Sequence, residues 1–247
     1  MPDAATATAL SAHDVTKRFG GLVAVDSMSF DLAANEVLGL IGPNGSGKTT
    51  MMNLISGALG VSSGQIRLYG EEISGSPANE IAIKGVARTF QIVRMLPGLS
   101  VLENVKAGGV FGHSRKWGKE LEDHAHDLLR RVGLDVSDET PISALTYIDQ
   151  KRVELARALA SDPKVLLLDE WLAGLNPTEL KTGIALIERL RKEGRTIIVV
   201  EHVMHAIRSL CDRCVVMNSG VKIAEGTPQE VLADAEVIRA YLGDADA

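Results

Sequence analysis

The chain has 247 residues, 45% hydrophobic and 23% charged, with a net charge of -6 at neutral pH. That is the composition of a soluble globular chain, long enough for one large domain or one domain with a smaller subdomain. The acidic balance argues against a general nucleic-acid surface, and no uncharged apolar run is long enough to span a bilayer.

The first stretch, Met1–Ala9, lacks both the basic region and the apolar core of a secretion signal, and is expected to be a disordered lead-in. From Leu10 to Leu32 apolar and polar residues alternate, with Val23, Val25, Met28, Phe30 and Leu32 on the apolar side. The pattern predicts antiparallel strands with one solvated face. Phe19, beside Gly20 and Gly21, suits either a hairpin anchor or an aromatic platform for a base. Val37–Ile41 is an apolar run that suits a buried strand.

Directly after it come Gly42, Pro43, Asn44, Gly45, Ser46, Gly47, Lys48, Thr49 and Thr50. Two glycines flanking four residues, then Lys and Thr, make a phosphate-binding loop. Triphosphate oxygens need many donors at close range, and glycines let the backbone turn its N–H groups inward. A helix beginning near Gly47 and running through Met51–Ile55 adds its positive end. Lys48 is expected to reach the β- and γ-phosphates and Thr49 to place its hydroxyl on Mg²⁺, so ATP and Mg²⁺ are the expected cofactors.

Gln65–Tyr69 reads as a further strand, and from Ile81 the chain returns toward the core at Phe90 and Gln91. Val101–Val132 is mostly helical in pattern, with an expected break at Gly108, Gly109 and Gly112. Leu121, Ala125, Leu128, Leu129 and Val132 are spaced for one helix face. Ser143–Ser161 opens as a loop and continues as a helix. A strand at Val165–Leu168, a helix at Thr178–Glu193, a strand at Thr196–Val200, a helix after His202 and a strand at Cys214–Met217 follow.

Strands alternating with helices imply a parallel sheet with right-handed crossovers. The predicted fold is α/β: a P-loop NTPase (RecA-like) parallel-sheet core, an N-terminal antiparallel β-subdomain and a helical subdomain inserted at about 92–160. Residues 10–247 form one nucleotide-binding domain, with a tail from about 226. Cys211 and Cys214 have no second pair to complete a zinc site and suit small buried side chains.

The second half of the site follows from strand ends. Val165–Leu168 runs into Asp169 and Glu170, which places both acids at the C-terminal edge of a buried strand, where ligands sit in open α/β sheets. Asp169 suits Mg²⁺ support and Glu170 suits polarising the water that attacks the γ-phosphate. His202 follows the strand Thr196–Val200 at the same edge, placed to contact the γ-phosphate or hold that water.

In this order Phe19, the phosphate loop, Gln91, Leu145–Gln150, Asp169 with Glu170, Ala173–Asn176 and His202 resemble the plan of ATP-binding cassette (ABC) ATPases over nearly the whole chain. More narrowly, Lys17–Gly21, Arg88–Gln91, Ala173–Pro177, Glu201–His202 and Val237–Gly243 are similar to the ATP-binding subunits of branched-chain amino acid importers. Subunits for urea, amides and lipopolysaccharide export share parts of the pattern.

The resemblance implies two ATPase subunits, identical or different, packed head to tail. Phe19 then stacks on adenine, and Gln91 links Mg²⁺ and the attacking water to the helical subdomain. The signature residues Leu145, Thr146, Tyr147, Ile148, Asp149 and Gln150 face the partner subunit's ATP. The helical region after Gln91 would receive a transmembrane permease, which an extracytoplasmic solute-binding protein supplies. The chain is accordingly expected in the cytoplasm, peripheral on the inner face of the cell membrane, with no nucleic-acid partner.

The chain departs from the family pattern at three places, the signature segment, Trp171 and Asn176. Ile148 replaces a glycine, which a crowded or positive-φ turn would resist. Asp149 adds negative charge beside the ATP. Trp171 stands where proline usually follows the catalytic Glu, which puts the aim of Glu170 in question; Asn176 for Asp is common in this branch. These departures motivate an alternative, a regulatory module that binds ATP with little hydrolysis. Against a soluble cassette of DNA repair or translation stand the single cassette, the lack of a coiled-coil insertion and the negative charge.

Overall fold

The computed structural model describes residues 7–242. In chain order the elements are β1 (Thr8–Phe19), β2 (Leu22–Ala33), β3 (Val37–Ile41), α1 (Lys48–Ile55), β4 (Ser63–Leu68), β5 (Glu71–Glu72), α2 (Ala78–Lys84) and β6 (Val86–Arg88). They continue with α3 (Val101–Phe111), α4 (Gly118–Arg131), α5 (Tyr147–Ala160), β7 (Val165–Asp169), α6 (Pro177–Lys192) and β8 (Thr196–Val200). The described residues end with α7 (Met204–Leu210), β9 (Arg213–Asn218), β10 (Val221–Gly226), α8 (Pro228–Ala233) and α9 (Ala235–Leu242). β1 begins inside the expected lead-in, with Ala9 fully buried, while 1–6 lie outside the described residues.

One sheet is antiparallel, in the order β2-β1-β4-β5; the other runs β10-β9-β3-β8-β7-β6. Within the second sheet β9, β3, β8, β7 and β6 pair in parallel, and only β10 is antiparallel, on the edge. Its central strands are apolar throughout because both faces are covered. Leu38, Leu40, Val165, Leu167, Ile198 and Val200 face the core shared with the antiparallel sheet and α1. Val37, Ile41, Leu166, Leu168, Ile197 and Val199 face the core built with α3 to α7.

In β2 the buried positions change parity, from Val25 to Met28, Phe30 and Leu32. A bulge causes it: the register slips between Lys17↔Val25 and Val15↔Met28, and Ser27 and Asp14 both take positive φ, 49° and 50°. Thr16 Oγ1 accepts the Ser27 N–H at 3.0 Å and Ser29 Oγ accepts the Asp14 N–H at 2.9 Å, so neither bulged N–H is left unpaired.

The helices α3, α4 and α5 pack against one another and lie within residues 92–160. Leu121, Ala125, Leu128, Leu129 and Val132 are all buried, as their spacing predicts, the last four in one core. The expected break at Gly108 and Gly109 is corrected: both lie inside α3, and the helix ends at Gly112. A Cβ on Gly108 would sit 2.0 Å from the Arg157 carbonyl oxygen, and one on Gly109 would sit 2.5 Å from Leu121 Cδ1. These glycines mark where α3 crosses α5 and α4 at close range, a role that outweighs their poor helix propensity.

Candidate functional site

The phosphate loop joins β3 to α1 in the middle of the parallel sheet. Gly42, Gly45 and Gly47 all have positive φ, of 148°, 78° and 104°. A Cβ on Gly42 would lie 2.0 Å from the Met217 carbonyl oxygen, and one on Gly47 would lie 2.5 Å from the Ala24 carbonyl oxygen. Two of the three glycines are therefore demanded by space as well as by conformation. Lys48 is buried and folds over the loop, donating to the carbonyls of Gly42 and Pro43 at 2.8 Å each and to Ser46 Oγ at 3.4 Å. Burial pushes its ammonium pKa down, and Glu170 and Asp169 push back.

A cleft of about 750 Å³ opens over this loop. Phe19, Asn44, Gly45, Gly47, Lys48, Thr49, Thr50, Gln91 and Glu170 all line it. Phe19 ends β1 and is 45% exposed at the cleft, and Lys17 Nζ lies 5.2 Å from the ring centroid. Leu22, Ser219 and Gly220 also line the cleft, unforeseen in the sequence. Ser219 and Gly220 have φ of 48° and 85° in the β9–β10 hairpin, and the Gly220 N–H donates to the Ser46 carbonyl at 3.0 Å. The Ser-Gly pair signals a tight turn, but nothing local says that the turn buttresses a phosphate loop.

Opposite the loop, the carboxylate of Glu170 is held at both oxygens. Gln91 Nε2 donates to Oε2 at 2.6 Å, and His202 Nε2 lies 2.8 Å from Oε1. The three residues expected to act on water thus meet at one point, brought there by β6, β7 and β8. Glu170 itself has a φ of 48°, unusual for a residue with a side chain. Asp169 is buried and receives Arg88 Nη2 on Oδ2 at 2.6 Å. Arg88 also donates from Nη1 to Asn53 Oδ1 at 2.7 Å and to Ser56 Oγ at 3.1 Å, tying α1 to β7. Sequence reasoning gave Arg88 no such part.

Leu145–Gln150 is not part of this cleft. Leu145 is half-buried after a single 3₁₀ turn, and Thr146 caps α5, accepting the Asp149 N–H at 3.3 Å and donating its hydroxyl to Asp149 Oδ2 at 2.7 Å. Gln150 Nε2 donates back to the Leu145 carbonyl at 3.2 Å, and Tyr147 donates its hydroxyl to the Gln91 carbonyl at 3.2 Å. One expectation is corrected here. Ile148 lies in the first turn of α5 and is not among the positive-φ residues, so its branched side chain meets no backbone strain. Asp149 is paired within the helix, with Arg152 Nη1 3.0 Å from its Oδ1.

Two buried carboxyl groups, Glu154 on α5 and Glu201 just after β8, hold the catalytic loops. Glu154 accepts the N–H groups of Phe90 at 3.3 Å and Arg94 at 2.9 Å, on either side of Gln91. Burial raises its pKa, against those two N–H donors. Glu201 accepts the Leu172 N–H at 2.7 Å, and burial pushes its carboxyl up to about 7. Cys211 and Cys214 are free and buried, packed against β3 where a Cβ on Gly39 would meet both sulfurs at about 3.0 and 2.9 Å.

A phosphate loop after β3, two acids at the end of β7, with β8 between the two strands, and Gln and His flanking the second acid define a nucleotide-hydrolysing cassette. The ABC transporter family model matches residues 25–173, and the chain belongs to that family: it is an ABC ATPase. A model described as branched-chain amino acid ATP-binding cassette transporter matches residues 221–247.

Among its relatives is LivG of Salmonella typhimurium, a high-affinity branched-chain amino acid transport ATP-binding protein. It is 40% identical over 96% of this chain and 98% of its own length. The solved structure of MJ1267, an ATP-binding cassette of an ABC transporter in its ADP conformation, is 30% identical. It superposes with a TM-score of 0.86 over 96% of this chain and 99% of that one. MJ0796, a bacterial ABC transporter cassette solved as a dimer, is 25% identical with a TM-score of 0.80, covering 89% of this chain and 98% of that one.

Proposed function

We propose that the chain is the ATP-hydrolysing subunit of an importer for branched-chain amino acids or related small solutes. The observation that carries the hydrolytic half is the Glu170 carboxylate, held by Gln91 and His202 beside the cleft over the phosphate loop. Glu170 is the group that orients and polarises water, His202 faces the γ-phosphate, and Gln91 fixes the carboxylate's direction. Phe19 supplies the base platform, and the loop from Gly42 to Thr50 the phosphate cradle.

The donors suit Mg²⁺, a hard cation that keeps several waters and takes few protein oxygens. Thr49 offers a hydroxyl, Asp169 has one oxygen not taken by Arg88, and Gln91 bonds Glu170 through nitrogen, so its side-chain oxygen is available. Mg²⁺ would neutralise phosphate charge there.

The exposed Thr146-capped start of α5, outside the chain's own cleft, suits a head-to-tail partner whose ATP it would face. The likeness to a cassette solved as a dimer supports that arrangement. A separate, largely apolar groove of about 500 Å³ between α2, β6, α3 and α5, with Ala82, Phe90, Met95 and Phe111 in its wall, suits a permease segment. A solute-binding protein acts through that permease. No helix among the described residues is long and apolar enough to cross a membrane, so the chain would sit at the inner face through this groove.

Ile148 without backbone strain, Asp149 paired with Arg152, and Glu170 held by Gln91 and His202 support hydrolysis over a regulatory module. The test is reconstitution with the permease, partner ATPase and binding protein in liposomes. ATP-driven leucine uptake that stops when this chain is omitted supports the reading; uptake undiminished without it refutes it.

A further inference from the structure

Glu170 has a backbone that needs holding. At φ 48° a residue with a side chain is strained by about 1 kcal/mol or more and persists there only if its surroundings fix it. The segment 170–173 is fixed group by group. The Glu170 N–H donates to the Val200 carbonyl at 2.8 Å, and the Leu172 N–H to Glu201. Its carbonyls converge on one ammonium: Lys151 Nζ donates to Glu170 at 3.3 Å, Trp171 at 2.9 Å and Ala173 at 2.8 Å.

Trp171 returns the contact, its indole N–H donating to the Lys151 carbonyl at 3.2 Å. Both side chains are buried, Trp171 at 1% exposure and Lys151 at 0%. Room for the indole comes from α6, where a Cβ on Gly183 would lie 3.2 Å from Trp171 Cζ3 and 2.6 Å from Leu172 Cδ2.

We propose that Lys151 and Trp171 form a reciprocal clasp that positions Glu170 for hydrolysis, making Lys151 a positioning residue for the reaction. A tryptophan leaves φ at its own position free, as a proline would not, so the clasp supplies the missing constraint. A buried lysine is retained here because its three donors match three carbonyls and because Glu201, Glu154 and Glu170 offset its charge. Lys151 sits in the second turn of α5, the helix capped by Thr146, so the placement of that helix and the aim of Glu170 move as one.

This inference rests on Glu170 acting in ATP hydrolysis, and two readouts separate the two claims. The full chain is assayed for Mg²⁺-dependent ATPase activity, with its partner subunits where it needs them, as parent, Lys151→Met, Lys151→Arg and Trp171→Phe. Trp171 fluorescence is read in a Trp117→Phe background, since Trp117 is exposed and does not line the cleft. Lys151→Met is expected to lower kcat tenfold or more, with KM for ATP within twofold, and to shift Trp171 emission to the red. Lys151→Arg keeps kcat within about threefold, and Trp171→Phe lowers kcat about threefold at unchanged KM.

Lys151→Met activity within twofold of the parent overturns the positioning role. If Lys151→Met does not fold, the Arg and Phe variants decide: losses in KM rather than kcat overturn it. If the parent itself does not hydrolyse ATP, the hydrolytic reading fails, and the clasp is judged by fluorescence alone: a red shift of Trp171 emission in Lys151→Met, absent in Lys151→Arg, supports it, and unchanged emission in Lys151→Met overturns it.

Discussion

Replacing Arg88 with methionine removes one side chain from a buried ion pair and leaves the other behind. Arg88 and Asp169 are 5% and 4% exposed at their side chains and 2.6 Å apart, so water cannot take over when the guanidinium goes. Asn53 Oδ1 and Ser56 Oγ lose their donors as well, and the stacking on Phe90, 5.0 Å away, is lost. Breaking a buried pair from one side costs about 3–5 kcal/mol, most of it the uncompensated charge. For a chain of this size each kcal/mol lowers the melting temperature by about 2–4 °C, so the fall should be roughly 6–20 °C.

Calorimetry of Arg88→Met, Asp169→Asn and the double variant measures it. The double variant should recover part of the loss, with a coupling of about 0.5–3 kcal/mol. A fall below about 3 °C, or strictly additive effects, would refute the view that this pair ties α1 to the end of β7.

Two further outcomes follow from the packing around Glu170. Gly183→Ala improves helix propensity by about 1 kcal/mol, yet its Cβ would press on Leu172 at 2.6 Å. Overpacking of about 1–3 kcal/mol should win, so the variant unfolds at lower urea than the parent; a gain in midpoint would contradict the packing. Glu201, raised from its ordinary 4.5 to about 7, binds its proton more tightly in the native than in the unfolded chain. Stability should therefore fall as pH rises from about 4.5 to about 7, by roughly 3 kcal/mol from this group. Glu201→Gln, which keeps an acceptor for Leu172, should reduce that slope in urea titrations at pH 5 and 7.5. An unchanged slope would mean that Glu201 does not titrate in this window.

The strand runs Val37–Ile41, Val165–Leu168 and Thr196–Val200 were legible because a sheet covered on both faces leaves an unbroken apolar signature. The phosphate loop was legible because backbone donors at close range leave glycines at fixed spacing. What the sequence hid are features that only tertiary contact defines. Gly108 and Gly109 read as a break because glycine signals both helix termination and close helix crossing, and nothing local separates the two. The contacts of Arg88, Lys151, Glu154 and Glu201 were not legible, since their partners are backbone groups and carboxylates far along the chain. Ile148 and Asp149 looked disruptive because an aligned pattern gives a residue's neighbours in sequence but not its φ or its ion pair. Trp171 looked out of place until α6 supplied the glycine that receives it.

The measurement closest to the central claim is Mg²⁺-dependent ATP hydrolysis by the chain with its partner ATPase and permease, beside Glu170→Gln. The geometry predicts steady turnover in the parent and a loss of about 100-fold or more in the variant with ATP still bound, since Gln keeps the side chain's size and one acceptor oxygen but not the charge that polarises water. Turnover in Glu170→Gln within twofold of the parent would contradict the assignment of Glu170.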